Sequence, residues 1–359
     1  MKIDFIVCTN DEIRFMECKE YIEHIWMPEG TSTKIVEITD APGLAEGYEF
    51  GRQQSDADYK VYLHQDIYIT NQNFVSDVLR IFQSNEKIGV IGVMGGNNIT
   101  EQSIPWYTWD YGTIIGCEGI SERHLFFGEV TELCQEVDCL DGALLVTRYD
   151  VPWRKDIFTG WHFYDRSICM EYRRRGFLSV VARQERPWCI HDCGFSNLLG
   201  WNENLDIFLQ EYEDYFDKAK VKENTILVDE AVQLQLENIA QNIELLIEHG
   251  MTTDAVEFVN QVKAAGAMMN KQIVFFSNLL ELEAAEPNSK VFLQEEICGR
   301  KKEKYVLAAT GLRRLAYGLE PTKEQENILE VLSQQEKEVI VHHELSVHQE
   351  MWEALGVFH

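Results

Sequence analysis

Residues 60–69, Lys-Val-Tyr-Leu-His-Gln-Asp-Ile-Tyr-Ile, read as an apolar strand interrupted once, by His64, Gln65 and Asp66. A polar triplet inside a core strand is unfavourable unless it is paired or binds something. In open α/β sheets ligands collect at the carboxyl ends of strands. A carboxylate placed there suits a divalent cation carrying a diphosphate, because hard oxygen ligands favour Mg²⁺ or Mn²⁺. The competing reading is a sheet-edge aspartate that caps a turn.

Four more segments bear on the same chemistry. Asp141-Gly142 interrupts the apolar run 139–147, where a strand glycine marks close approach of a ligand or backbone, or else a bulge. Gly160 to Asp165, Gly-Trp-His-Phe-Tyr-Asp, opens a helix that runs to Arg173-Arg174-Arg175-Gly176. Asp165 falls in its first turn, where the helix dipole favours the ionised carboxylate. Such a group is either a general base for a hydroxyl or an ordinary helix-start acid. In Trp188-Cys189-Ile190-His191-Asp192-Cys193-Gly194, His191 is a metal ligand, a phosphate donor or a core histidine; zinc is disfavoured because no second ligand pair accompanies the cysteines. Thr9-Asn10 and Asp40 end the first two strands, either facing a base and ribose or capping the helices that follow. Trp106, Trp109, Trp161 and His162 offer ring faces to a sugar or nucleobase. Neither a glycine-rich phosphate loop nor a Gly-x-Ser-x-Gly elbow occurs, which weighs against nicotinamide, ATP and serine-hydrolase chemistry.

The elements needed to position these residues are present in the pattern. Strands are expected at 2–9, 33–39, 60–69, 88–94 and 139–147, and helices at 11–26, 43–57, 73–84 and 162–175, which predicts a mostly parallel sheet covered on both faces. The stretch 95–135 reads as a long structured excursion. From residue 222 strand signals stop; Val232, Leu236, Ile239, Ile243 and Leu246 mark a helix that Gly250 ends, and further helices are expected at 252–265, 268–285, 289–298, 301–317, 323–341 and 343–355, with Thr322 and Gln325 forming a capping box. We therefore expect two domains, an α/β domain over 1–221 and an all-helical domain over 222–359.

The 359 residues carry a formal charge of −28. Residues 1–221 hold 37 acids against 20 bases and residues 222–359 hold 23 against 12, so the excess is spread along the chain. Nucleic acid and anionic membrane surfaces are poor partners for such a protein, and an anionic substrate needs arginines or a metal beside it. Nine cysteines without a disulfide-like framework fit a reducing, cytoplasmic setting. No run approaches the length of a membrane span.

Taken in order, 60–95, 141–165 and 186–194 resemble the family 2-like glycosyltransferases of the streptomycin-biosynthesis type, over about residues 2–215. The resemblance implies a GT-A fold, a Rossmann-like sheet domain, with a nucleotide-sugar donor and a divalent cation, Mn²⁺ or Mg²⁺. It implies that Asp66 meets the metal and diphosphate with His191 and His64 beside it, that Asp165 is the catalytic base, and that Thr9, Asn10, Asp40, Gln65, Asp141 and Gly142 face the donor. His64 stands where the family usually has the first aspartate of Asp-x-Asp, and Tyr48-Glu49 stands where relatives often have Tyr-Asn. The expected activity is an inverting, metal-assisted sugar transfer to an acceptor hydroxyl. The alternatives are a catalytically silent nucleotide-sugar-binding or scaffolding module and, behind it, a nucleotidyltransferase. The helical region is expected to serve self-association or a partner protein.

Overall fold

The computed structural model describes residues 1–97, 109–118, 121–192, 200–215, 239–247, 251–264, 277, 280 and 298–345. The chain divides into two compact units. The first comprises Met1–Ile115, His124–His191 and Leu198–Val228, and the second Gly116–Arg123, Asp192–Asn197 and Asp229–His359.

The first unit opens with β1 (Lys2–Thr9), α1 (Glu12–Glu23), β2 (Ser32–Thr39), α2 (Leu44–Gln54), β3 (Tyr59–His64), β4 (Ile67–Ile69), α3 (Phe74–Ser84), β5 (Ile88–Gly92) and β6 (Met94–Gly96). It continues through β7 (Tyr111–Glu118) and β8 (Ser121–Gly128), of which residues 116–118 and 121–123 are counted with the second unit, and then β9 (Cys134–Val137), β10 (Cys139–Leu140), β11 (Leu144–Thr147), α4 (Tyr164–Arg174), β12 (Leu178–Ala182), β13 (Cys189–His191) and α5 (Trp201–Glu211). Residues Ile3 to Val7 of β1 are wholly or almost wholly buried, so this strand is central. Asp11 starts α1 by accepting hydrogen bonds from the Ile13 and Arg14 amides at 3.0 and 3.1 Å. Gly47 and Gly51, which look unfavourable inside α2, let it lie directly on β1. A Cβ would come within 2.5 Å of Cys8 Sγ at the first and 2.3 Å of Ile6 Cγ2 at the second.

Seven strands form one sheet in the order β2-β1-β3-β11-β5-β12-β9, and a second sheet runs β10-β6-β7-β13-β4. The α/β class is as expected, but the mostly parallel pairing holds only for β2-β1-β3 and β5-β12. Strand β11 is antiparallel to both β3 and β5, and β9 is antiparallel to β12. A parallel neighbour needs a crossover, usually a helix, and among the described residues no helix lies between β5 and β11. Two predicted strands are also split. The 60–69 run breaks at Gln65-Asp66 and continues as β4 in the other sheet, while 139–147 breaks at Asp141-Gly142-Ala143 between β10 and β11.

The second unit includes helices Thr252–Ala264, Cys298–Ala316, Lys323–Val331 and Gln334–Glu344. Ile243, Val259, Tyr305, Leu312, Leu329 and Ile340 contribute to its core. The capping box at Thr322 and Gln325 is present. The helix expected over 323–341 is instead two, because Ser333 and Glu336 form a second capping box and start a new helix. The expectations for 268–285 and 289–298 fall almost entirely outside the described residues, as do most of 343–355 and the start of the helix expected to end at Gly250. No described helix is long and apolar enough to cross a membrane.

Candidate metal and transfer site

Both strand breaks deliver polar residues to one rim. Because β11 runs antiparallel to β3, its amino end, following Asp141-Gly142, lies beside the carboxyl end of β3, with Leu144 opposite Leu63 and the His64 amide donating to Ala143 O at 3.3 Å. The turn at Gln65-Asp66 then redirects the chain into β4, which pairs with β13 so that His191 stands opposite Ile67. His191 Nε2 lies 3.7 Å and His64 Nδ1 4.0 Å from the same oxygen, Asp66 Oδ1. One ligand atom from each of the three residues lies within 4.8 Å of the others. Two imidazoles and a carboxylate converging at this spacing are a donor set that fits a divalent transition-metal cation.

Burial lowers the His64 pKa, against the opposing pull of Asp66 and Asp165. Burial thus favours the neutral ring, which is the form that ligates a cation. Arg14 NH1 approaches Asp66 Oδ2 at 3.6 Å, bringing positive charge to an acidic protein at the place where an anionic ligand would require it.

Asp165 follows Tyr164, whose hydroxyl lies 2.5 Å from His64 Nε2. Its N-cap neighbour, Phe163, has φ +62°, a left-handed conformation that a bulky residue rarely adopts. Packing holds it there: the Phe163 ring is 4.7 Å from Trp201 and 5.4 Å from Phe208. The result is that Tyr164 and Asp165 turn back toward the rim. Asp165 Oδ2 accepts from the Gly142 amide at 3.1 Å and Oδ1 from the Arg166 amide at 2.8 Å. Burial raises the Asp165 pKa, with Arg166 and the two amides opposing it. Asp141 is pushed up to about 6, first by burial and then by the negative charge of Asp165. The compensating cation, Arg166, is 1% exposed, with its guanidinium 5.3, 5.0 and 5.2 Å from the rings of Trp109, Phe163 and Trp201.

The other residues singled out from sequence fall as follows. Thr9 ends β1 and donates to Gln65 Oε1 at 2.7 Å, and that oxygen also accepts from the Asn10 and Asp11 amides, both at 2.9 Å. Gln65 Nε2 donates to Asn10 Oδ1 at 2.8 Å. Gln65 is therefore a clasp between β3 and the β1-α1 turn, and its amide is engaged by protein rather than presented to a donor. Asp40 is exposed at the end of β2 with φ +55°, a conformation aspartate tolerates. Trp109 is 7% exposed with Arg166 against its ring, so it is packed into the base of the site and is not an open stacking face. Trp161 is 52% exposed, His162 packs edge-on against Trp201 at 5.1 Å, and Trp106 lies outside the described residues. Glu49, the departure from the family pattern, is buried, accepts from Arg52 Nε at 2.8 Å and from the Trp153 amide at 3.1 Å, and so anchors structure. Three site residues were not singled out from sequence: Arg14, Arg166 and Tyr164. A cavity of about 450 Å³ lined by Met1, Tyr59, Lys60, Arg148 and Asp150 opens at the opposite ends of these strands and is separate from this chemistry.

No curated protein matches the sequence. Among solved structures, S. aureus TarS 1–349 aligns at 12% identity over 81% of this chain and 93% of that one, with TM-score 0.40. Its complex with UDP aligns at 12% identity over 88% and 92%, with TM-score 0.39. A mutant Drosophila β1,4-galactosyltransferase 7 in complex with manganese, UDP-Gal and xylobiose aligns at 13% identity over 55% and 72%, with TM-score 0.33. The sequence profile of the Glycosyltransferase like family matches residues 4–212, from within β1 to just past the end of α5 and thus across every residue of the site, and the chain belongs to that family.

Proposed function

We propose that the first unit is a GT-A domain of the family 2 type that transfers a sugar from a nucleoside-diphosphate donor to an acceptor hydroxyl, with inversion and with a bound divalent cation. The observation that carries this reading is that His64 belongs to both halves of the site. It lines the cluster with Asp66 and His191, feels the charge of Asp165, and hydrogen-bonds through Nε2 to the residue preceding Asp165.

Two nitrogen ligands and one carboxylate suit Mn²⁺ better than Mg²⁺, which prefers oxygen. Held by His64, Asp66 and His191, the cation would supply Lewis-acid neutralisation of the departing diphosphate. Arg14 adds a fixed positive charge beside Asp66. Thr9, Asn10 and Asp40 lie at the carboxyl ends of β1 and β2, the edge to which a nucleoside would bind. Asp141 and Gly142 border the donor sugar, and Trp161 gives the acceptor a stacking surface.

Asp165 removes the proton of the acceptor hydroxyl as that oxygen attacks the anomeric carbon from the face opposite the diphosphate. The Gly142 and Arg166 amides aim its carboxylate. Its raised pKa moves it toward working pH, where a general base is most effective. Screening UDP-, GDP- and dTDP-sugars with Mn²⁺ tests the reading, with product stereochemistry followed by NMR. Asp165→Asn should lower turnover by about 10² to 10⁴-fold with donor affinity retained. Undiminished turnover in that variant would remove the assigned role.

A further inference from the structure

We propose that Tyr164 is a positioning residue whose hydroxyl accepts from His64 Nε2 when Nδ1 binds a cation; the proposal rests on the metal-assisted reading above. His64 presents its two nitrogens to different neighbours. Nδ1 faces Asp66 Oδ1 at 4.0 Å, and Nε2 lies 2.5 Å from the Tyr164 hydroxyl. A neutral imidazole carries one N–H. If Nε2 bears it and donates to Tyr164 Oη, the lone pair on Nδ1 points toward Asp66 and His191, and three donors can meet one cation. If Nδ1 bears it, the hydroxyl donates to Nε2 instead, an N–H is directed at Asp66 and the cluster is closed to a cation. The two forms carry the same number of protons: the hydroxyl either accepts from Nε2 or donates to it, and a cation at Nδ1 requires the first.

The hydroxyl is held where it can accept this bond. Tyr164 is 4% exposed, and its ring packs against Tyr48 and Trp153 at centroid distances of 5.8 and 6.2 Å. On the other side lies Gly142, where a Cβ would be 2.1 Å from Oη. A ring confined on these sides keeps its oxygen at His64. Because Tyr164 immediately precedes Asp165, the residue that prepares the cation site and the residue that takes the proton are consecutive in the first turn of α4. Partners that orient a ligating histidine typically matter by 10- to 100-fold in metal affinity.

The test compares full-length wild type, Tyr164→Phe and Asp66→Asn for Mn²⁺ binding by calorimetry. It also reads the His64 tautomer by ¹⁵N NMR, with Zn²⁺ as a diamagnetic probe and His64→Gln for assignment. We expect Asp66→Asn to abolish binding and Tyr164→Phe to weaken it about 10- to 100-fold, with wild-type His64 protonated on Nε2 in the Zn²⁺-loaded protein. Wild-type affinity in Tyr164→Phe, alongside loss in Asp66→Asn, would overturn this proposal and leave the metal-assisted reading standing. No Mn²⁺ binding by the wild type would overturn both. The wild-type spectrum needs no folded variant beyond assignment, and Nδ1-protonated His64 in the Zn²⁺-loaded protein would overturn the proposal by itself.

Discussion

Gly142→Ala would add one methyl group at the point where the two halves of the site touch. Gly142 has no left-handed φ, so the substitution carries no backbone penalty and its effect is steric. The new Cβ would lie 2.1, 2.5 and 2.7 Å from Tyr164 Oη, Cζ and Cε2. Comfortable non-bonded contacts between carbons are about 3.5–4.0 Å, so ring or strand must move by roughly 1 Å. Tyr48 and Trp153 back the ring, and β11 is pinned between β3 and β5, so neither can move cheaply. Overpacking of this kind costs about 1–3 kcal/mol, and for a unit of this size each kcal/mol shifts Tm by about 2–4 °C. We therefore expect a fall of about 2–12 °C. The same displacement pulls Oη from His64 and disturbs the Gly142 amide that holds Asp165, so Mn²⁺ affinity and turnover should fall too, turnover by up to about 10²-fold. Gly160→Ala is the matched control, because no atom lies within 4 Å of its Cβ position. Thermal melting, Mn²⁺ titration and turnover of the two variants side by side form the assay. If Gly142→Ala were indistinguishable from Gly160→Ala in all three, the close approach described here would be wrong.

Asp141, at about 6, is raised above its ordinary value of 3.8, so between those values the folded chain holds a proton that the unfolded chain releases. That contribution to stability is fully present below pH 3.8 and is lost as pH rises through about 6, by at most about 3 kcal/mol. Asp141→Asn should flatten this decline in urea titrations run from pH 4 to 7, and an unchanged slope would contradict it. Arg313, 2% exposed in the second unit, reaches Asp192 at 3.1 Å and Glu122 at 3.7 Å. Its replacement by Ala removes a buried cation from beside these two carboxylates and should cost about 3–5 kcal/mol. Lys323→Ala, which removes an exposed pair with Glu326, should stay within about 1 kcal/mol of wild type; equal denaturation midpoints for the two variants would refute the contrast. Arg14→Ala should weaken donor binding about tenfold with a smaller change in turnover of bound donor, as read from KM and kcat separately.

What could be read in advance followed from how locally each feature is encoded. The strand at 2–9, the helix at 73–84 and the Thr322 capping box depend on neighbours within a few residues, and the sequence carries those neighbours. The polar interruptions His64-Gln65-Asp66 and Asp141-Gly142 were visible as breaks in apolar runs, but their meaning was not. Each marks the place where the chain leaves one sheet, a fact that depends on which strands pair across distances of about 40 residues or more. Gln65 illustrates the limit: by type it suits a ligand contact, yet its oxygen is claimed by the turn 9–11, which no local pattern announces. Trp109 and Arg166 illustrate it again. Each alone reads as a surface or helix residue, and only the pair explains how two aspartates share one buried corner.

The same pairing logic explains why a histidine can stand where an aspartate is more usual. The protein is strongly acidic throughout, so a second carboxylate beside Asp66 would add repulsion against a diphosphate. An imidazole ligates without that charge. Arg14 opposes Asp66, and a divalent ion held here would add positive charge to the rim within a negative surface. A ligating imidazole, unlike a carboxylate, would need a partner for its second nitrogen. His64 and Tyr164 would then act as one unit, because a buried hydroxyl stands 2.5 Å from Nε2 to accept its proton.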